Sequence, residues 1–191
     1  PDGGLELVRD YLRLSDAYRQ MGQLDKAEQQ VLLAKQHAPG SLEVIYKEAA
    51  IYQAEGRYED AIRVLSDAVA GVKAQTEFTP ARRRTLAILY QLLGQLYRDQ
   101  QNFTPAINTF LEMAKLGPEE DQRARPLIIE AHRANRDLTH AFEEARRAVA
   151  DYPKDRGIRI AQAMLYGDNK QPEQAAQILR PLLNNSAEDM E

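Results

Sequence analysis

His37, His132 and His140 are the only histidines in the 191-residue chain, and they are the first side chains to consider as bases or metal ligands. A zinc-binding helix carries its ligands four residues apart on one face. None of the three has a second histidine at that spacing, and they fall at different phases of the repeat described below. The sequence therefore predicts no metal site, and His132 reads as a packed or capping imidazole. Glu59-Asp60, Glu143-Glu144 and Glu119-Glu120-Asp121 are neighbours in sequence, so they do not share a helix face as paired catalytic carboxylates would. Glu119 to Asp121 suit the opening of a helix, where negative charge meets the positive end of the dipole. There is no cysteine, which removes thiolate nucleophiles, thiolate zinc ligands and disulfides. No glycine-rich phosphate loop occurs, and Gly3-Gly4 read as part of an unpatterned N-terminal tail over residues 1–7. The residues predict neither an enzyme nor a cofactor.

The one dense basic run is Arg82-Arg83-Arg84, without the interleaved aromatics that single-stranded nucleic acid favours. With 25 basic residues against 29 acidic ones and a net charge of -4, no general basic field exists to hold a phosphate backbone. The run reads as a solvated helix face, and no nucleic-acid partner is expected. No apolar stretch reaches the roughly 18 residues of a membrane span, and no signal peptide is visible, so a soluble chain is expected. Absence of cysteine leaves the compartment open between cytoplasm and periplasm or exterior. The chain begins at Pro1 without an initiator Met, as a piece cut from a longer protein would, with any leader removed upstream.

Any such side chain must be positioned by the elements that carry it, and these repeat. Tyr18, Gly22, Ala27, Val31 and Ala34 recur 34 residues later as Tyr52, Gly56, Ala61, Leu65 and Ala68. A Tyr or His stands nine residues before an Ala three more times, in Tyr97 and Ala106, His132 and Ala141, and Tyr166 and Ala175. Apolar residues between Val8 and Met21, and again between Asp25 and His37, recur at helical steps. Each unit is thus a pair of antiparallel helices, with Gly22 and Gly56 where the chain reverses and Ala27 and Ala61 where two axes approach. Thr79-Pro80, Thr104-Pro105 and Gln171-Pro172 read as N-cap and first-turn pairs; Pro39, Pro118 and Pro153 close second helices. The second and third units start 45 rather than 34 residues apart. The eleven inserted residues are expected to lengthen the helices on either side of them.

In the third unit Tyr90, Leu93, Gly94, Tyr97, Ala106, Phe110 and Pro118 stand at the spacings of the tetratricopeptide signature. The chain resembles that family over roughly residues 8–189. Its departures are the absence of Trp from the aromatic slot and of the inter-helix glycine from the fourth and fifth units. The resemblance implies an all-α fold, a right-handed superhelical solenoid of antiparallel helix pairs. The units run over about 8–41, 42–75, 87–120, 122–155 and 156–189, in a single array with a truncated end at 190–191.

The resemblance also implies a concave groove lined by the first helix of each pair. Counted from the Tyr slots, its lining includes Arg19, Gln53, Arg98 and Arg133 just after the slot, Asp16, Gln95 and Glu130 two before it, and Tyr46 six before it. The three arginines form a ladder that either grips carboxylates and carbonyls of an extended segment or pairs internally with Asp16, Glu43 and Glu130. The carboxylate clamp of family members that hold chaperone tails is not present, since its places carry Leu12, Asp16, Lys47, Ile88 and Leu92. The expected function is a protein-interaction module or scaffold with a peptide or partner protein in the groove. The alternatives are spacer or assembly repeats of a longer, envelope-associated bacterial protein with no groove ligand, or repeats that recruit substrates for a catalytic domain elsewhere in the parent chain. At the C-terminal edge Ala175, Ile178, Leu179, Leu182 and Leu183 are apolar at core-like spacing. Weak association with a second copy is expected there.

Overall fold

The computed structural model describes residues 3–183, and among these every regular element is helical. Five helix pairs follow one another. They are α1 (Gly3–Gln20) with α2 (Leu24–His37), α3 (Leu42–Ala54) with α4 (Tyr58–Lys73), and α5 (Pro80–Asp99) with α6 (Phe103–Ala114). The fourth and fifth pairs are α7 (Pro118–Ala134) with α8 (Leu138–Asp151) and α9 (Arg156–Asp168) with α10 (Pro172–Leu179), the last continuing into a short 3-10 turn, Arg180–Leu182. The chain divides into two compact units, Pro1–Leu96 and Tyr97–Glu191, with the boundary inside α5.

Small residues set the spacing where second helices pack. Ala27, Ala34, Ala61, Ala106, Ala141 and Ala148 are wholly buried on second helices, where a larger side chain would push the axes apart. The first unit closes its core with Val8, Leu12, Val31, Val44 and Ile51, and Ser15 donates its hydroxyl to the Ala27 carbonyl at 3.0 Å. In the second unit Ile129, Ile158 and Leu165 pack on Ala141, Ala145 and Ala148. Apolar burial of this kind, about 25 cal/mol per Å², is the main term holding each pair together.

The reversal inside each pair is the same motif repeated. The N–H five residues after the Tyr slot donates to the slot carbonyl, from Gln23 to Tyr18 at 2.9 Å, Arg57 to Tyr52 at 2.8 Å and Asn102 to Tyr97 at 2.8 Å. Asp137 donates likewise to His132 at 3.0 Å and Gln171 to Tyr166 at 2.8 Å. The residue before each donor is left-handed, which defines a Schellman ending. Gly22 and Gly56 fill that position with φ of 71° and 74°, but Gln101, Arg136 and Lys170 fill it with φ of 58°, 59° and 58°. The missing glycines are replaced by side chains that bear the strain, which costs about 1 kcal/mol or more per residue. Arg136→Gly and Lys170→Gly are therefore each expected to raise stability by about 1 kcal/mol. Gly22→Ala and Gly56→Ala should each lower it by a similar amount, although a Cβ at either glycine meets nothing within 4 Å. Urea midpoints read both signs, and an unstrained turn would leave all four unchanged.

Several details differ from the sequence expectations. The tail predicted over residues 1–7 is helical from Gly3. Its pattern is weak because this turn buries nothing: Leu5 and Leu7 are exposed and Val8 is the first residue to reach the core. Thr79-Pro80 does start a helix, Thr79 accepting the Arg82 N–H at 3.1 Å, and Pro172 opens α10 behind Gln171. Thr104-Pro105 lies one step further in, since α6 begins at Phe103 behind Asn102; Pro105 still falls within the first turn, where no N–H is needed. The insertion lengthens α4 and α5 and leaves a short loop between them. Arg82 holds that loop rather than facing solvent, donating to the Glu77 and Lys73 carbonyls at 2.8 and 2.7 Å and lying over the Phe78 ring. At the far end α10 buries no residue, and Leu179 and Leu183 are exposed. The truncated end expected at 190–191 lies outside the described residues.

Candidate interaction surface

The Schellman ending explains where the slot and ladder residues stand. Each slot is the third-last helical position of a first helix, so the residue after it lies in the last turn, where cations suit the negative end of the dipole. Arg19, Arg98 and Arg133 occupy these places on α1, α5 and α7, and each faces a carboxylate. Arg19 is 4.0 Å from Asp16. Arg98 lies 3.4 Å from Glu130 on α7 and 3.5 Å from Asp99. Arg133 donates to Asp168 on α9 at 2.9 Å. Asp16 also takes two bonds from Lys47 on α3, at 2.7 and 2.6 Å.

The residues named from sequence thus resolve into two kinds. Asp16, Arg19, Arg98, Glu130 and Arg133 belong to ion pairs, three of which join consecutive first helices: α1 to α3, α5 to α7, and α7 to α9. Gln53 on α3 and Gln95 on α5 are half-buried, and Tyr46 on α3 is 48% exposed. Two of the pairs are completed by Lys47, which the sequence offered only at a clamp place, and by Asp168, which was not among the expected lining residues. Their signal was present as separation: Asp16 to Lys47, Arg98 to Glu130 and Arg133 to Asp168 span 31, 32 and 35 residues, close to one repeat.

A second cluster surrounds the turn between α3 and α4. Arg57 donates to Asp60 at 2.7 Å, Glu28 at 3.1 Å and Glu55 at 3.0 Å, with its guanidinium 4.2 Å from the Tyr52 ring centroid. Hydrogen bonding by Arg57, foremost, holds the Asp60 carboxyl below the usual range. Burial, with the Glu48 and Glu28 charges adding to it, pushes the Tyr52 phenol up to about 12. Beside it Glu48, 3% exposed, accepts two bonds from Lys35 at 2.8 Å across the α2–α3 seam. Both line a cleft of about 530 Å³ with Arg63, Asp67 and Val72.

The fourth turn holds a constellation that the histidine spacing did not reveal. His132, in the slot of α7, and His140, in the first turn of α8, stack with ring centroids 5.6 Å apart. Asp137 lies between them as the N-cap of α8, 3.5 Å from His132 Nδ1 and 2.7 Å from His140 Nδ1. Burial acts to raise the Asp137 carboxyl, but the backbone and ring bonds from His140 prevail and hold it low. The expectation of no metal site rested on single-helix spacing, whereas the turn brings one donor atom each of His132, Asp137 and His140 within 4.8 Å of the others. The third histidine, His37, stacks on Tyr11.

A sequence model of the tetratricopeptide repeat matches residues 11–35. No curated protein matches the chain in sequence. Among solved structures, PilF of Pseudomonas aeruginosa is similar with 17% identity and a TM-score of 0.62, covering 98% of this chain and 82% of its own. MamA of Desulfovibrio magneticus RS-1 gives 15% identity and 0.60 over 92% and 93%. YrrB, described as a tetratricopeptide protein with an unusual peptide-binding site, gives 16% and 0.52 over 88% and 81%.

Proposed function

Starting from a chain that is built as a tetratricopeptide-repeat fold, we propose a protein-interaction module that presents its first helices to a peptide or partner protein. The observation that carries this reading is apolar exposure on those helices. In the first compact unit Tyr46 on α3 and Ile88 on α5 are 48% and 38% exposed, and in the second Met164 on α9 is 40% exposed. Tyr46 and Met164 stand six and two residues before their Tyr slots, phases expected to line the groove, and Ile88 stands at one of the clamp places on a first helix. Adaptable or flat apolar side chains bordered by fixed charges suit an extended ligand, the apolar groups supplying affinity and the charges register. YrrB, a structural relative at low identity, is described as binding a peptide. No helix among the described residues is long and apolar enough to cross a membrane.

A second reading, a scaffold or spacer within a longer chain, is favoured by the ion pairs. Arg98 and Arg133 are engaged with Glu130 and Asp168, so using them on a ligand requires breaking internal bonds first. The two readings separate under photocrosslinking. Benzoylphenylalanine in place of Tyr46 or Met164 is expected to trap one identified protein from lysate, while the same group at Leu32 or Leu111, exposed positions on second helices, does not. Equal trapping at all four positions, or none at any, favours the spacer.

A further inference from the structure

The cluster at the fourth turn has ligand chemistry that the neighbouring turns lack. In the first pair the same geometry brings Lys26 over the Tyr18 ring, 5.5 Å from its centroid. Lys26 and His140 each lie eight residues after their slots. The repeat thus places a side chain from the second helix on the slot ring as a matter of architecture. In the fourth pair both partners are imidazoles and the N-cap between them is a carboxylate.

The carboxylate is divided in use. Asp137 Oδ1 accepts the His140 N–H at 3.3 Å and caps α8, while Oδ2 faces both rings. His132 Nδ1 is buried and, apart from Asp137 Oδ2 at 3.5 Å, which is too poorly placed for a hydrogen bond, has no partner, a state that buried nitrogens rarely adopt. One donor atom from each of the three residues lies within 4.8 Å of the others. In a tetrahedral zinc site, with bonds of about 2.0–2.1 Å, ligand atoms stand about 3.3 Å apart. The contacts of 2.7 and 3.5 Å are near that value. His140 is exposed enough to rotate, its side chain being 62% accessible.

We propose that His132, Asp137 and His140 form a three-ligand site for a divalent transition ion of the zinc class, with a fourth position open to water. Two imidazoles and one carboxylate suit zinc, and the borderline ions beside it, over magnesium or calcium, which need more oxygen ligands. The ion joins the end of α7 to the start of α8, and it gives the buried His132 nitrogen a partner.

Titration calorimetry of the untagged chain with zinc chloride tests the site, with magnesium chloride as the contrast. One zinc per chain is expected, with no binding of magnesium. His140→Ala removes an exposed ligand without touching the core. Asp137→Asn removes the anionic ligand but keeps an oxygen for the α8 cap. Each should weaken zinc binding by at least about ten-fold, with far-UV circular dichroism unchanged. Cobalt substituted for zinc should give visible absorption that both variants lose. Absence of stoichiometric zinc binding overturns the proposal. So does zinc binding that survives both variants, which would place the ion at surface carboxylates or at His37.

Discussion

Truncating Phe110 to alanine is expected to lower the stability of the second unit by about 3–5 kcal/mol. The ring lies on α6 with no exposed surface, and α6 packs on α7. Its removal loses the transfer free energy of an aromatic side chain and leaves a cavity that wholly buried alanines such as Ala106 cannot collapse to fill. Within the second unit, where α6 packs on α7 and α7 on α8, the damage should start at α6 and spread toward α8. With a typical urea slope of about 1–3 kcal/mol per molar, the midpoint should fall by more than about 1 M. Leu111→Ala, one residue away but 38% exposed, serves as the contrast and should cost well under half as much. Similar losses from the two would contradict the packing described for α6.

Replacing Lys35 with methionine should cost about 3 kcal/mol, although the lysine side chain is 40% exposed. The reason lies in its partner. Glu48 is 4% exposed in its side chain, and without the ammonium its carboxylate remains at the α2–α3 seam with no compensating charge, which is the costly half of breaking a buried pair. Adding Glu48→Leu to Lys35→Met removes the stranded charge as well. The double variant should recover most of the loss and return near the parent stability, since apolar replacement of a whole buried pair is often neutral or better. Chemical denaturation of the two single variants and the double closes the cycle. If Lys35→Met alone proved neutral, water would have to reach the Glu48 carboxylate in a way its burial does not suggest.

The parts of this fold that were legible in the sequence are those where one residue type alone meets a steric demand. Ala27, Ala61, Ala106 and Ala141, paired with a slot nine residues earlier, mark closely spaced axes and are all wholly buried. Ala175 has the same spacing but is only half-buried, because no further pair packs on α10 among the described residues. Gly22 and Gly56 announced their turns. Gln101, Arg136 and Lys170 did not, because an ordinary residue can hold the left-handed conformation when the surrounding hydrogen bonds enforce it. Arg98 and Arg133 were legible in the second unit as cations of one phase, but their internal partners were only partly so. Glu130 and Asp168 both pair across about one repeat, but Glu130 stands in a lining phase, two before its slot, whereas Asp168 stands two after its slot, outside those phases. The histidine cluster was hidden because its spacing obeys the turn between two helices and not the period of either one.

The charge pairs between consecutive first helices have a mechanical consequence. Lys47 with Asp16, Arg98 with Glu130 and Arg133 with Asp168 are partly exposed, and contacts of this kind are each worth at most about 1 kcal/mol. Dissolved salt weakens them, over a screening length of about 10 Å at 0.1 M. The alanine-lined contacts within each helix pair have no such sensitivity. Within each compact unit, stiffness is therefore uneven: the dry contacts resist deformation at any ionic strength, while the seam between first helices behaves as a spring that counterions relax. A ligand that wedges between first helices would meet less elastic resistance in salt than in dilute buffer, even where it makes no ionic contact of its own.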